Sequence, residues 1–340
     1  WEAHEEAQVT HFFLLFRFAT PRSRNMFLLI LLVAAAAEAA LGSSRGFLQT
    51  DVNLHSDNLL RAGQASADDG GTIELKVGDV STGLHMPLLG FGTCCRASST
   101  GPALKKSTSI YLGHGGKLID TAIMYNNHKD LGEELKAEFQ KGVIARKDLW
   151  VTSKIAPNHA STEQQALQRL DEILRDLQLE YVDLLLIHAP SDHSSALWKA
   201  LLKGKAQGKA KSIGVSNFNA ADIQELERQG LERPSVNQIE FHPWVDAEVF
   251  ENVAWCQANG IAITAYGSLG SSYHYGLTDA KVQQVAQKYG KTPAQVLLAW
   301  ALAQGVAVVP GATSEQHIVD DLGATTFKLS PEEAGLHYFA

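Results

Sequence analysis

From Thr72 onward, short apolar runs alternate with amphipathic stretches of helical period, and nothing else in the chain restricts its folding as much. KLID is followed by DLGEELKAEFQ, LWVTSK by STEQQALQRLDEILRDL, and VDLLLIH by SSALWKALLKG. The series continues through KSIGVSN, AADIQELERQG, SVNQIE, DAEVFENVAWCQANG, IAITAY, paired helical stretches around Val282 and Val296, and VAVVPG. Counted with LGFGT, about eight strand-then-helix units fit into about 270 residues, the length expected of an α/β chain closed into a (β/α)8 TIM barrel. Ahead of them, IELKVGDV and HMPLL flank Ser81-Thr82-Gly83 and predict an N-terminal β-hairpin. A doubly wound sheet is the alternative, but its nucleotide motifs fail. Gly90-x-Gly92 meets Cys95 where a third glycine is needed, and Gly113-x-Gly115 meets Leu118. Gly290-Lys291-Thr292 imitates the end of a P-loop, yet Val285 stands where the first glycine belongs.

The ends of these apolar runs carry chemistry. Asp120, Lys154, His188, Ser216-Asn217, Gln238 and Tyr266 each fall at the C-terminal tip of a predicted strand. In a barrel those tips converge on one face, where active sites are built. Taken singly, an Asp after a strand is an ordinary helix cap, and a lone His an ordinary core residue. A lysine inside an apolar run is different, because a buried cation is costly unless a carboxylate pairs with it. Asp120 is the natural partner.

The 29 Lys+Arg against 37 Asp+Glu give a formal net charge of −8, which disfavours nucleic acid and anionic membrane as partners. With 45% hydrophobic residues, the chain can bury a large core. Its three cysteines, Cys94, Cys95 and Cys256, form neither a disulfide framework nor a zinc-ligand spacing, and they read as packing residues of a reduced compartment. The N-terminal part points elsewhere: Arg22 and Arg24 precede FLLILLVAAAA, which ends in Ala37-Glu38-Ala39, the form of a signal-peptidase site. Residues 1–41 are therefore expected to hold a signal-peptide-like run too short for a stable membrane span, 42–71 a flexible linker, and 72–340 the barrel. The run at 22–39 implies the secretory pathway or a membrane-bounded organelle; a cytoplasmic protein is the alternative.

At the strand tips the chain resembles the aldo-keto reductase family, through LIDTAIMYNN, VTSKI, LLLIH, GVSNF, NQIEFHPW and AYGSLG in family order. The resemblance implies an NAD(P)-dependent carbonyl reductase, expected to be monomeric and to use no metal. It makes Tyr125 the general acid, Lys154 the cation beside it, Asp120 the carboxylate that holds Lys154, and His188 the group that orients the substrate carbonyl. A free phenol has a pKa of about 10, and a neighbouring ammonium is expected to lower it. Ser216, Asn217 and Gln238 would bind the nicotinamide carboxamide, Tyr266 would stack on its ring, and Ser268, Leu269 and Ser271 would belong to a loop over the pyrophosphate.

Two departures matter. Many relatives carry Trp where this chain has Cys94, Ala156 and Ala189, which implies a wider pocket. Where relatives often read Pro-Lys-Ser followed by an Arg, this chain has Pro310-Gly311-Ala312 and His317, with Asp320 and Asp321 close behind. Thr313, Ser314 and His317 are left to meet the 2′-phosphate of NADP, the family's default cofactor, so a weakened preference with use of NAD is expected. Two other readings compete: a catalytically weak, cofactor-binding redox-sensing subunit, and a barrel lyase or isomerase with a Schiff base at Lys154.

Overall fold

Two antiparallel strands, β1 (Thr72–Val77) and β2 (Val80–Pro87), are the first elements of a computed structural model that describes residues 71–96, 98–271 and 276–339. The signal-like run at 22–39 and residues 42–70 of the expected linker lie outside the described residues. The hairpin turns at Gly78-Asp79, earlier than the sequence suggests, with Val77 paired to Val80. Gly78 takes φ +59°, a value that glycine adopts without steric cost and that a two-residue hairpin loop requires. Ser81, Thr82 and Gly83, expected as the turn, instead lie within β2, where the register shifts and Thr82 Oγ1 donates to Leu75 O at 2.7 Å.

The strands that follow are β3 (Phe91–Gly92), β4 (Leu118–Asp120), β5 (Trp150–Ile155), β6 (Val182–Ile187), β7 (Ala210–Ser216), β8 (Val236–Glu240), β9 (Ala262–Tyr266) and β10 (Ala307–Val308). They form one eight-stranded sheet, in which every pairing is parallel and neighbours follow chain order. A parallel bridge from Leu89 to Val308 joins the two edges. Gly90 N donates to Val308 O at 2.8 Å, and Val308 N to Leu88 O at 2.7 Å, so the ring closes as a (β/α)8 barrel.

Between the strands run α1 (Gly101–Gly113), α2 (His128–Lys141), α3 (Glu163–Leu177), α4 (Ser194–Ala206), α5 (Ala220–Arg228), α6 (Ala247–Ala258), α7 (Ala280–Tyr289), α8 (Pro293–Ala303) and α9 (Glu315–Leu322). Helix α3 shows why these segments are helical. Its buried residues Ala166, Leu170, Ile173, Leu174 and Leu177 recur at helical spacing, and the Thr162 side chain accepts from Gln165 N at its start. Among the described residues, no helix is long and apolar enough to cross a membrane.

Strand β6 shows how the sheet divides the core. Leu185 and Ile187 join the large cluster shared with the helices. Leu184 and Leu186, on the other face, join a second cluster with Leu118, Trp150, Val236, Ala262 and Ala307. Ile73, Leu75 and Met86 of the hairpin belong to that second cluster as well. The hairpin thus plugs the end of the barrel at which the strands begin, which leaves their C-terminal tips as the open face.

Candidate active site

Strand β4 ends at Asp120, and a short 3-10 turn, Ile123–Tyr125, follows it directly. Lys154 sits near the end of β5, fully buried, and forms an ion pair with Asp120. An ammonium has three protons to place, and all are placed: on Asp120 Oδ1, on Thr121 O at 3.1 Å, and on the Tyr125 hydroxyl at 3.3 Å. Asp120 is satisfied from the other side, since Gln238 Nε2 donates to its Oδ2 at 2.8 Å. Thr93 fixes the same strand end, its N and Oγ1 both donating to Asp120 O, at 3.0 and 2.9 Å. A buried pair with every donor and acceptor matched avoids the penalty an unpaired buried charge would carry.

Electrostatics follow this geometry. Burial pulls the Lys154 pKa down, but the charge of Asp120 and the phenol of Tyr125 outweigh it, and the net shift is upward. The lysine is therefore a stable cation. For Tyr125 the balance runs against the sequence-based expectation. Burial, joined by the negative charge of Asp120, outweighs the pull of Lys154, so the phenol holds its proton above the ordinary range. His188, directly after β6, lies edge-on to Tyr125 with ring centroids 5.7 Å apart. Its Nδ1 is buried with no partner among the described residues. Burial, then the positive charge of Lys154, pushes the imidazole down to about 3, so it is neutral across the physiological range.

The amide-bearing tips adjoin this group. Ser216 ends β7, and its Oγ donates to Gln238 O at 2.8 Å. Asn217 takes φ +62°, and its Nδ2 donates to His188 O at 3.0 Å. The hydroxyl of half-buried Tyr266 donates to Asn217 Oδ1 at 2.8 Å. Gln238 spends an Nε2 proton on Asp120, while its Oε1 makes no hydrogen bond among the described residues. A half-exposed aromatic face flanked by fixed amides suits a flat ring bearing a carboxamide.

The remaining candidates divide. Ser268 is buried and donates to Ala265 O at 3.3 Å, Leu269 packs against the core, and Ser271 takes φ +54° beside Glu240. Residues 272–275, which continue that loop, lie outside the described residues. Thr313 and His317 are exposed, and Ser314 caps α9 by accepting from His317 N at 3.2 Å. Asp321, read from the sequence as a carboxylate opposing the phosphate, is buried, because α9 turns it inward. Cys94 and Cys95 stand side by side just after β3, their Cα atoms 3.7 Å apart. Cys256 is a free buried thiol pushed up to about 12, first by burial.

Sequence reasoning passed over two groups. Thr93, Thr121 and Asn127 form a buried network behind the site, with Thr121 Oγ1 donating to Asn127 Oδ1 at 2.8 Å and Asn127 Nδ2 to Thr93 O at 3.0 Å. Arg96, in the loop after β3, lies against Gly311. The missing side chain at 311 was the available signal for Arg96, since something has to fill that space.

The sequence profile described as "Aldo/keto reductase family" matches residues 100–336. The aldo-keto reductase family 1 member A1 of Pongo abelii is 35% identical over 284 residues, 74% of this chain and 85% of the relative. An NADPH-dependent D-xylose reductase of Meyerozyma guilliermondii is 33% identical over 293 residues, 75% of this chain and 90% of the relative. A solved aldo-keto reductase complexed with NADPH superimposes with a TM-score of 0.71 at 27% identity, covering 79% of this chain and 87% of the other. An aldo/keto reductase structure from Brucella melitensis gives 0.69 at 29% identity, covering 79% of this chain and 99% of the other. With that profile spanning most of the barrel and both kinds of relative agreeing on the fold, the chain belongs to the aldo/keto reductase family.

Proposed function

We propose that the protein reduces aldehydes or ketones to alcohols using a reduced nicotinamide dinucleotide, with NADPH the default and NADH the second possibility, and with Tyr125 as the general acid. One observation carries this reading: the buried Lys154 spends all its donors on Asp120, Thr121 and the Tyr125 hydroxyl. When bound, the dinucleotide supplies the hydride for the carbonyl carbon. Ser216, Asn217 and Gln238 would hold its carboxamide and Tyr266 its ring. Ser268, Leu269 and Ser271 would lie along the pyrophosphate, with Thr313, Ser314 and His317 toward the adenosine end. The bond already formed between Tyr266 and Asn217 supports that assignment, because it fixes both groups in advance.

The chain's own groups then manage the proton. Tyr125, with its pKa held up by burial, carries a proton at neutral pH and gives it to the carbonyl oxygen as negative charge develops there. Lys154 donates a hydrogen bond to the phenolate that remains, and Asp120 keeps Lys154 charged and in place. Neutral His188 hydrogen-bonds the same carbonyl oxygen and polarises it without competing for the proton. Solvent water returns a proton to Tyr125 after turnover.

A Schiff-base role for Lys154 is disfavoured, since a nucleophilic amine must shed its proton and this one is held above its ordinary pKa. The complete set Asp120, Tyr125, Lys154 and His188 argues against a catalytically weak redox-sensing subunit. We place the protein as a monomer acting on small carbonyl compounds. The run at 22–39 supports secretory or organellar targeting, which fractionation of cells expressing the full chain would test against the cytoplasmic alternative. The decisive experiment is a carbonyl panel assayed with both cofactors on wild type and Tyr125→Phe. The variant is expected to bind cofactor normally and lose about two to four orders of magnitude in kcat, the scale of general acid catalysis. A wild-type rate in Tyr125→Phe would refute the assignment.

A further inference from the structure

Pro310-Gly311-Ala312 leads from β10 toward α9, and it is where the family resemblance expects a basic side chain facing the phosphorylated ribose. This chain has no side chain at 311, but the space is filled. A Cβ built on Gly311 would stand 1.7 Å from Nη1 of Arg96 and 2.4 Å from its Cζ, so the guanidinium rests directly on the glycine backbone. Any side chain at 311 would force the guanidinium to shift from this place.

Arg96 is held for this position. Its Nη2 donates to Gly92 O at 2.9 Å, its backbone N donates to Ser99 Oγ at 3.1 Å, and Ser99 N returns a bond to Arg96 O at 2.9 Å. Among the described residues, Nη2 is the only side-chain nitrogen of Arg96 in a hydrogen bond, and Nε is buried without a partner. A guanidinium has five N–H donors in a planar fork suited to phosphate, and here most are unspent. Its charge is not cancelled by a full neighbouring carboxylate. Burial, with Asp320 adding to it, raises Asp321 to about 7 against the pull of Arg96, so at neutral pH that acid is only partly ionised.

We propose that Arg96 and Gly311 are a matched pair that moves the phosphate-binding cation from the segment after β10 to the loop after β3, so that Arg96 binds the ribose 2′-phosphate of NADPH. The proposal rests on the reading of the chain as a dinucleotide-dependent reductase. It also revises the cofactor expectation drawn from the sequence, since a permanent charge from Arg96 replaces reliance on exposed His317.

The test is equilibrium binding of NADPH, NADH and adenosine 2′,5′-bisphosphate to the full chain, read by quenching of intrinsic fluorescence. Arg96→Ala is expected to weaken NADPH and the bisphosphate about ten- to hundredfold while NADH changes less than about twofold. Arg96→Lys should recover part of the loss, and Arg96→Ala combined with Gly311→Lys should recover most of it, because the lysine then has the room the arginine vacated. Equal weakening of NADPH and NADH in Arg96→Ala would overturn the proposal in favour of a pyrophosphate or purely structural role. Unchanged NADPH binding would overturn it outright. A wild-type protein that binds neither dinucleotide would instead sink the reductase reading itself.

Discussion

At the scale of single residues, the site is governed by which groups hold protons. His188 is pushed down to about 3 by burial and by Lys154, while Tyr125 is raised by burial, so at neutral pH the imidazole is uncharged and the phenol keeps its proton, as the proposed function requires of them. The reductive kcat should therefore show no acid-side inflection between about pH 5 and 8 that belongs to His188, and should fall only on the alkaline side as Tyr125 ionises. A pH profile of kcat for wild type and His188→Asn checks this. An inflection near the ordinary imidazole pKa that vanishes in the variant would show that His188 titrates during catalysis. The pairing of Lys154 with Asp120 was legible in the sequence, since a lysine buried in β5 demands a carboxylate and Asp120 ends the preceding strand, whereas the roles expected of Tyr125 and His188 came from the family resemblance. The sign of the Tyr125 shift was not legible. It depends on how much of the ring the fold buries, a quantity that neither spacing nor motif contains.

At the scale of elements, the C-terminal segment after α9 is tied down by polar anchors. Glu333 accepts from Lys288 Nζ at 2.7 Å, from the Tyr289 hydroxyl at 2.6 Å and from Ser330 N at 3.1 Å. Burial alone would raise its pKa, but those bonds outweigh it and hold the carboxyl at about 2. A carboxyl lowered in the folded state stabilises that state above its ordinary pKa of 4.5, and the contribution is lost as pH falls from there toward 2. Glu333→Gln should cost about 1–3 kcal/mol at neutral pH through its weakened anchors. Urea unfolding of wild type and variant at several pH values should converge through this acid window; parallel curves would mean that the charge contributes nothing. Sequence legibility varied between elements for physical reasons. Strands β5 and β6 are buried along their whole length; β6 reads as an apolar run broken only by Asp183, while β5 carries Thr152, Ser153 and Lys154 between its apolar ends. Strands β3 and β10 are two residues each, too short to carry a pattern, and are defined by their neighbours' hydrogen bonds. The glycine at 311 signalled an unfilled space, but not that Arg96 fills it, because that contact exists only once the first and last strands of the ring meet.

At the scale of the whole molecule, the barrel separates its packed end from its candidate site. Leu75 of the hairpin is fully buried in the cluster that fills the end where the strands begin, with Leu184, Leu186 and Val236 around it. Asp120, Lys154, Ser216 and Tyr266 lie at or near the opposite ends of their strands. Parallel pairing in chain order forces this polarity, since every strand must start at one rim and finish at the other. Leu75→Ala removes packed apolar atoms and leaves a cavity that neighbouring strands cannot collapse into, which should cost about 2–5 kcal/mol. Its effect on chemistry should be small, because Leu75 packs at the end where the strands begin, whereas Asp120 ends β4 and Lys154 sits near the end of β5. Urea unfolding and kcat, the latter measured well below the melting transition, should therefore move independently: Leu75→Ala loses stability with kcat within about twofold of wild type, whereas Tyr125→Phe keeps its stability and loses turnover. A tenfold fall in kcat for fully folded Leu75→Ala would mean that strain at the plugged end travels along the strands to the Lys154 network, and the two ends of the barrel would have to be treated as one coupled unit.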